Sequence, residues 1–266
     1  MDLLELLPHV ERIAHDAGDI LMKYYGKPHR VEQKGPGDVV TEADKESEEY
    51  VRAALEQLCP GHAILGEEFG LEAGSSEYCW AIDPLDGTAN YAKHVPIFAV
   101  SIGLLRQGEP VLGVIFDPNT NSTYSAVTGH GATCNSQAIK VNDHPAISPE
   151  GHFGVSSRMV MWREAFLESF RQPRCLGSAA LQMCYIAAGY FDGTIDCLTK
   201  LWDVAAGTVI VREAGGRVTT PTGEPAFPLP NDSDAYRGGA VAFVATNGRL
   251  HEECTERYRA SLSADN

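Results

Sequence analysis

The sequence predicts a mixed fold of the α/β or α+β class, and three observations carry that prediction. Residues 3–25 place Leu3, Leu6, Leu7, Val10, Ile13, Ala14, Ala17, Ile20, Leu21 and Tyr24 at helical spacing. Residues 97–105 and 110–117 are alternating apolar segments joined by Arg106-Gln107-Gly108-Glu109, the pattern of an antiparallel hairpin. The second half then alternates short apolar strands with helical stretches, the pattern of an α/β layer.

In chain order, the first helix stops at Gly26 and Pro28, with Glu5, Glu11 and Asp16 on its solvated face and His9 and His15 at the surface. A polar loop, Gln33 to Asp38, leads to a helix running to Leu58; Thr41 and Asp44 have the spacing of a capping box at its start. Strands are expected over 62–66 and 78–83, joined by an acidic Gly-Ser loop, with Pro84 ending the second ladder because proline has no N–H to donate. A further strand spans 122–128, and 133–150 reads as loop with a short strand near Ile139-Lys140-Val141. Next come a strand at 153–156, helices at 160–170 and 178–188, a strand at 192–197, a helix at 204–214 closed by Gly215-Gly216, a strand at 240–245 and a charged helix at 247–261. Residues 221–238, rich in Pro, Asp and Gly, read as a surface loop. Pro145, Pro149 and Gly151 mark a boundary near 145–152, dividing the chain into 1–148, helices plus an antiparallel sheet, and 149–266, an α/β part.

The 266 residues are 44% hydrophobic, enough for a sizeable core. A net charge of −15 argues against general electrostatic binding of nucleic acid, which needs clustered Lys and Arg. The seven cysteines show no CxxC pair and read as reduced, mostly buried thiols of a cytoplasmic protein. The N-terminus is acidic where a signal peptide would be basic, and no apolar run reaches membrane-spanning length.

Chemistry concentrates in Trp80-Ala81-Ile82-Asp83-Pro84-Leu85-Asp86-Gly87-Thr88-Ala89-Asn90. Two carboxylates at the mouth of a buried strand are costly unless neutralised, and a divalent cation would do it. Gly87 and Thr88 offer backbone N–H groups and a hydroxyl that suit a phosphate. The plain alternative is a solvated Asp-Gly turn. Three other stretches bear on the choice: Gly66-Glu67-Glu68 after an apolar pair, Asp38 to Asp44 before a helix, and Trp202-Asp203-Val204-Ala205-Ala206-Gly207 opening another. Capping is the plain alternative for Asp44 and Ser178, and a helix's first turn favours an acid such as Asp203 without any metal. The donors are hard oxygens with no Cys/His cluster, which favours Mg²⁺ over zinc.

In this order and at these separations, the four stretches resemble the inositol monophosphatase family of magnesium-dependent, lithium-sensitive phosphatases, from the N-terminal helix to about Arg257. The resemblance implies a layered α-β-α-β-α sandwich of the inositol monophosphatase/fructose-1,6-bisphosphatase type. It implies two or three Mg²⁺ ions held by Glu67, Asp83, the carbonyl of Leu85, Asp86 and Asp203, with Asp83 bridging two of them. Glu67, Thr88 and its partner Asp44 become the catalytic residues around an attacking water; Gly87 and Thr88 meet the phosphate. Gly177, Ser178 and Ala179 line the sugar-ring side, joined by Asp196 where the family often has Glu; Lys34 is a further candidate.

The implied activity is hydrolysis of inositol monophosphate and related small sugar or polyol phosphates by a homodimer. The alternatives are a nucleotidase acting on 3′-phosphoadenosine 5′-phosphate, a histidinol-phosphate, fructose-1,6-bisphosphate or NADP phosphatase, and a non-enzymatic partner in a transcription complex. A dehalogenase-type phosphatase is disfavoured because its two Asp residues stand two apart, whereas Asp83 and Asp86 stand three apart; no GxSxG elbow or Walker A loop is present.

Overall fold

A computed structural model describes residues 1–27, 31–35, 38–162, 166, 170 and 172–264, with the side chains of 31–40, 161, 162, 263 and 264 left out. Helix α1 (Leu3–Tyr24) begins at Asp2, whose carboxylate accepts the Leu4 amide at 2.9 Å. Its apolar stripe buries Leu6, Val10, Ile13, Ala14, Ala17 and Leu21. Strands β1 (Val31–Gly35) and β2 (Asp38–Thr41) pair as a ribbon where the sequence reads as a polar loop. Glu32, Gln33, Lys34 and Gly35 give the first of these strands no apolar alternation to read. Helix α2 (Glu42–Leu58) buries Val51 and Leu55 but also Asp44, Ser47 and Glu48.

An eight-stranded sheet follows among the described residues, built from β3 (Ala63–Gly66), β4 (Gly70–Glu72), β5 (Tyr78–Asp86), β6 (Ala99–Arg106), β7 (Glu109–Asp117), β8 (Ser122–Val127), β9 (Ala132–Cys134) and β10 (Gln137–Ile139). The short helix α3 (Thr88–Ala92) leaves the end of β5. The spatial order β10-β9-β8-β7-β6-β5-β3-β4 puts β5 between β6, its antiparallel partner, and β3, its parallel one. The sheet is therefore mixed rather than purely antiparallel. The second sheet, order β12-β11-β13-β15-β14, holds β11 (Phe153–Val155), β12 (Pro173–Arg174), β13 (Gly193–Thr199), β14 (Arg217–Thr219) and β15 (Val241–Thr246). Its helices are α4 (Ser157–Trp162), α5 (Ala179–Ala187), α6 (Leu201–Glu213) and α7 (His251–Ala264).

The layers follow from what each strand face meets. On β6, Val100, Ile102 and Leu104 join the core under α1 and α2, while Ala99 and Leu105 join the core around α5 and α6. Helices α5 and α6 lie between the two sheets, and α7 covers the far face of the second. The stack is α-β-α-β-α, as the resemblance implies. Helix α6 is buried along almost its whole length from Leu201 to Val211 because a sheet presses on each side.

Several expectations need correction. Pro84 does not end β5; the strand continues to Asp86 through a shift of register against β6, and an irregular step needs no N–H from the proline. The region 133–150 contains a tight hairpin, β9 to β10, two residues earlier than the strand expected there. Strands β4, β12 and β14, only two or three residues each, carry too few residues to show a period. The 221–238 loop anchors itself by burying Phe227 and Ala235. His15 is half-buried, stacked on Phe116 at 4.0 Å between ring centres and bonded to the Thr123 hydroxyl at 2.7 Å. Glu11 and Asp16 accept from Ser125 and Tyr50, and Cys175 is an exposed thiol while Cys59, Cys184 and Cys254 are buried.

Candidate active site

Strand parity aims the first acid. Cys79 and Ala81 belong to the core around α5 and α6, whereas Trp80 and Ile82 belong to the core under α1 and α2. Asp83 continues the first series and so points towards α6. It is 2% exposed, and its Oδ1 accepts the Leu85 amide at 2.9 Å. Past the bulge, Asp86 reaches the N-terminus of α5. Its Oδ2 accepts the Ser178 hydroxyl at 2.5 Å and the Ala180 amide at 2.8 Å, and its Oδ1 accepts the Ala179 amide at 3.2 Å. Ser178 Oγ in turn accepts the Leu181 amide at 3.2 Å, so one hydroxyl both caps α5 and binds Asp86.

Asp203 sits in the first turn of α6, where its Oδ2 accepts the Lys200 amide at 2.7 Å. Helix α6 comes close to the sheet because Gly103 and Gly113, cross-strand partners on β6 and β7, carry no side chain beneath it. A Cβ on Gly113 would stand 2.3 Å from the Ala206 carbonyl oxygen, and one on Gly103 would stand 2.7 Å from the Ala206 nitrogen. That approach brings the Asp203 carboxyl within hydrogen-bonding reach of Asp83.

The electrostatics are those of crowded anions. Burial raises the Asp83 carboxyl well above its usual range, and Glu67, Asp86 and Asp203 raise it further. Burial likewise raises Asp203, helped by Asp86 and Glu67. Asp86 is pushed up to about 6 by burial despite its three donors. Among the described residues no lysine, arginine or histidine forms an ion pair with Asp83, Asp86 or Asp203. Two carboxylates rest against each other only with a proton or a cation between them. The residues therefore fit a hard divalent cation by donor chemistry and by charge. They do not form a finished cage: among the described residues no three acid, histidine or cysteine side chains converge on one ion position. Both oxygens of Asp86 face α5, and Asp83 and Asp203 each turn one oxygen to a backbone amide.

Opposite this cluster stands Thr88. Its hydroxyl lies 3.2 Å from Asp44 Oδ1 and 3.0 Å from the Leu85 carbonyl, and its single hydrogen is shared between them. The other oxygen of Asp44 accepts the Thr41 amide at 2.9 Å and the Thr41 hydroxyl at 2.5 Å. The capping reading and the Thr88 reading of Asp44 thus hold together, one per oxygen. Burial raises the Asp44 carboxyl, partly offset by these donors. Gly87 has φ +100, and a Cβ there would stand 2.8 Å from the Ile97 carbonyl oxygen, so only glycine suits the turn into α3. Glu67 is half-buried and close enough to raise both Asp83 and Asp203.

Asp196 already has partners of its own. It is buried beside Asp86, but its Oδ1 accepts the Leu198 amide at 2.9 Å and it also accepts from the Ser156 side chain; burial raises its carboxyl and Arg158 partly offsets this. A carboxylate engaged by Leu198 and Ser156 has less to offer a ring hydroxyl. Lys34 lies in β1, and its side chain is outside the described residues. Two residues were missed from sequence. Asn90 Nδ2 donates to the Ile97 and Leu176 carbonyls at 2.9 and 2.8 Å, tying the end of the acidic string to Gly177; its place in that string is the only signal. Glu48 reaches the backbone just past Glu67, and its i+4 spacing from Asp44 is the only hint.

A layered α-β-α-β-α fold with an acid cluster facing a Thr-Asp pair defines a class of phosphate-ester hydrolases, and comparison with known proteins agrees. The model of the "Inositol monophosphatase family" matches residues 2–262, and the chain belongs to that family. It is 40% identical to a "Fructose-1,6-bisphosphatase/inositol-1-monophosphatase" of Aquifex aeolicus, over 95% of each chain. It is 38% identical to the "Nus factor SuhB" of Pasteurella multocida, over 78% of this chain and 82% of that one. The solved structure of an inositol monophosphatase from Anabaena (Nostoc) sp. PCC 7120 superposes with a TM-score of 0.83 at 34% identity, covering 99% of this chain and 100% of that one. The chain is thus a phosphatase of the inositol monophosphatase family.

Proposed function

We propose that the chain is a Mg²⁺-dependent phosphomonoesterase that hydrolyses inositol monophosphates and related small sugar or polyol phosphates. The observation that carries the reading is the contact of the Asp83 and Asp203 carboxyls beside Asp86 and Glu67, across from Thr88 and Asp44. Glu67, Asp83, the Leu85 carbonyl, Asp86 and Asp203 would hold two or three ions. Bound there, Mg²⁺ would neutralise phosphoryl oxygens and make a bound water more acidic. The protein's own part is to orient and to move a proton. Thr88 and Asp44 receive the proton of the attacking water, and a buried carboxyl with a raised pKa is a better base than an exposed one. Gly87 and Thr88 seat the phosphate while Gly177, Ser178 and Ala179 face the alcohol. The water oxygen bonds to phosphorus as the P–O ester bond breaks; one water proton passes to the Thr88–Asp44 pair and the other stays on the phosphate, and the leaving alkoxide takes a proton from solvent water, which the proton released by Asp44 restores. In this reading residues 1–148 supply Glu67, Asp83, Leu85 and Asp86, and residues 149–266 supply Asp203 and the ring side.

The Asp196 arrangement supports a tolerant pocket. Since its carboxylate is engaged by Leu198 and Ser156, inositol-1-phosphate should be preferred over glycerol-2-phosphate or a hexose phosphate by less than about a hundredfold in kcat/KM. Phosphate release across these esters, fructose-1,6-bisphosphate, histidinol phosphate and 3′-phosphoadenosine 5′-phosphate, with Mg²⁺ or with chelator, tests the reading. Equal release in chelator would sink metal dependence, and dominance of the bisphosphonucleotide would reassign the substrate. The same reading expects inhibition by lithium, a cytoplasmic location and a homodimer in sedimentation. A second role as a protein partner in transcription draws on the likeness to the Nus factor; co-sedimentation with a purified transcription complex tests it, and recovery of the chain only in the unbound fraction would dismiss it.

A further inference from the structure

Glu48 is fully buried in α2, one turn beyond Asp44. A buried carboxylate survives only with close partners, and those of Glu48 are specific. Its Oε2 accepts the Glu68 amide at 2.7 Å, and its Oε1 accepts the Phe69 amide at 3.1 Å and Arg52 Nε at 2.8 Å. Arg52, one turn further along α2, reaches the Gly70 carbonyl and lies 3.5 Å from the Ile64 carbonyl oxygen. Together they grip the turn that carries Glu67 at both of its ends. Gly66 leaves the room for this: a Cβ there would stand 2.0 Å from Glu48 Oε1. Asp44, Glu48 and Arg52 recur every fourth residue and so share one face of the helix.

We infer that Glu48 is a positioning residue for Glu67, and that this face of α2 sets the spacing between Glu67 and Thr88. Asp44 fixes the Thr88 hydroxyl directly, and Glu48 fixes Glu67 through the two amides that follow it. A single rigid helix thereby references both groups, so the gap between them does not depend on the independent placement of two loops. The inference rests on the phosphatase reading for what the gap encloses, but not for the grip itself.

The test compares wild type, Glu48→Gln, Glu67→Gln and the double variant. Mn²⁺ binding is measured by calorimetry as the metal probe, Mg²⁺-dependent phosphate release from inositol-1-phosphate reports activity, and thermal melting checks the fold. Glu48→Gln keeps size but replaces one acceptor with an amide donor facing a backbone N–H. It should weaken Mn²⁺ binding and raise the half-saturating Mg²⁺ concentration about tenfold, the usual effect of losing an outer support. Added to Glu67→Gln it should cost less than about threefold more, because both changes act on one group. Unchanged Mn²⁺ affinity in folded Glu48→Gln overturns the inference, as does a double variant whose loss equals the product of the single losses. If Glu48→Gln does not fold, Glu48→Asp keeps the charge, shortens the reach and is judged by the same two outcomes. A wild type that binds Mn²⁺ yet releases phosphate from no ester defeats the phosphatase reading alone; the calorimetric comparison then decides about Glu48.

Discussion

Gly113→Ala tests whether the closeness of α6 to the first sheet places Asp203. The added methyl would lie 2.3 Å from the Ala206 carbonyl oxygen and 2.8 Å from its Cα, against 3.4 Å for the shortest ordinary contact. Both obstacles are backbone, so no side chain can turn aside. The helix must retreat by roughly 1 Å, or the strand must sink by as much, and overpacking of this kind costs about 2 kcal/mol. Asp203 lies three residues before Ala206 on the same helix and is carried along. A misplacement of roughly 1 Å at a catalytic group lowers rates on the order of a hundredfold. Urea unfolding should therefore show a loss of about 2 kcal/mol, and kcat/KM for inositol-1-phosphate should fall about a hundredfold. A variant that keeps kcat/KM within about threefold while losing the predicted stability would refute the link from helix–sheet spacing to Asp203. One that loses neither would refute the packing argument itself.

Other outcomes follow from the same geometry. Asp83→Asn should abolish most activity and, in chelator, melt higher than the wild type, since it removes one of several buried acids that raise one another; a lower melting temperature in chelator would contradict the crowding. Ser178→Ala removes a hydroxyl donor to Asp86 at 2.5 Å, so the Asp86 carboxyl should titrate above its value of about 6 in carboxyl-labelled NMR spectra, and an unmoved value would show that the two amides suffice. His251 is buried between the Thr219 and Thr246 hydroxyls at 2.8 and 2.9 Å, and burial lowers it from 6.5 to about 4. The folded protein excludes a proton that the unfolded chain binds, so this contribution is complete above pH 6.5 and is lost as pH falls towards 4. It amounts to about 3 kcal/mol, and about 2 of these should be gone by pH 5 relative to His251→Gln. Parallel stability curves for the two proteins between pH 7 and 5 would exclude it.

Long periodic segments were legible because their burial is one-sided or complete: the stripe of α1, the β6–β7 hairpin and the apolar α6. Asp83 and Asp86 stand out in the sequence because two carboxylates at the mouth of a buried strand need a reason, whereas Asp203 also reads as an ordinary acid of a helix's first turn and is picked out by the family resemblance. Glu48 was not, because Glu-Ala-Asp-Lys-Glu-Ser-Glu-Glu reads as a solvated face and nothing local shows that Asp44, Ser47 and Glu48 turn inward. Nor was the course of β5 through Pro84, which depends on a shift of register set by the neighbouring strand. The position of Asp196 shows a further limit: the residue was found, but the Leu198 amide that holds its carboxylate depends on an irregular step in β13 against β15.

The dispersion of the acids along the chain has a consequence for biosynthesis. Asp44, Glu67, the Asp83–Asp86 pair and Asp203 are brought together only when α6 docks between the sheets. A nascent chain that has not yet released Asp203 from the ribosome lacks the fifth of these carboxylates and the helix that completes the central layer. On the proposed reading its partial site would lie open to water and bind a divalent cation weakly, so the ion would not guide early folding and would stabilise only the completed molecule. Depletion of metal should accordingly leave the folding rate of the chain nearly unchanged and speed its unfolding, because whatever docks last is first to leave.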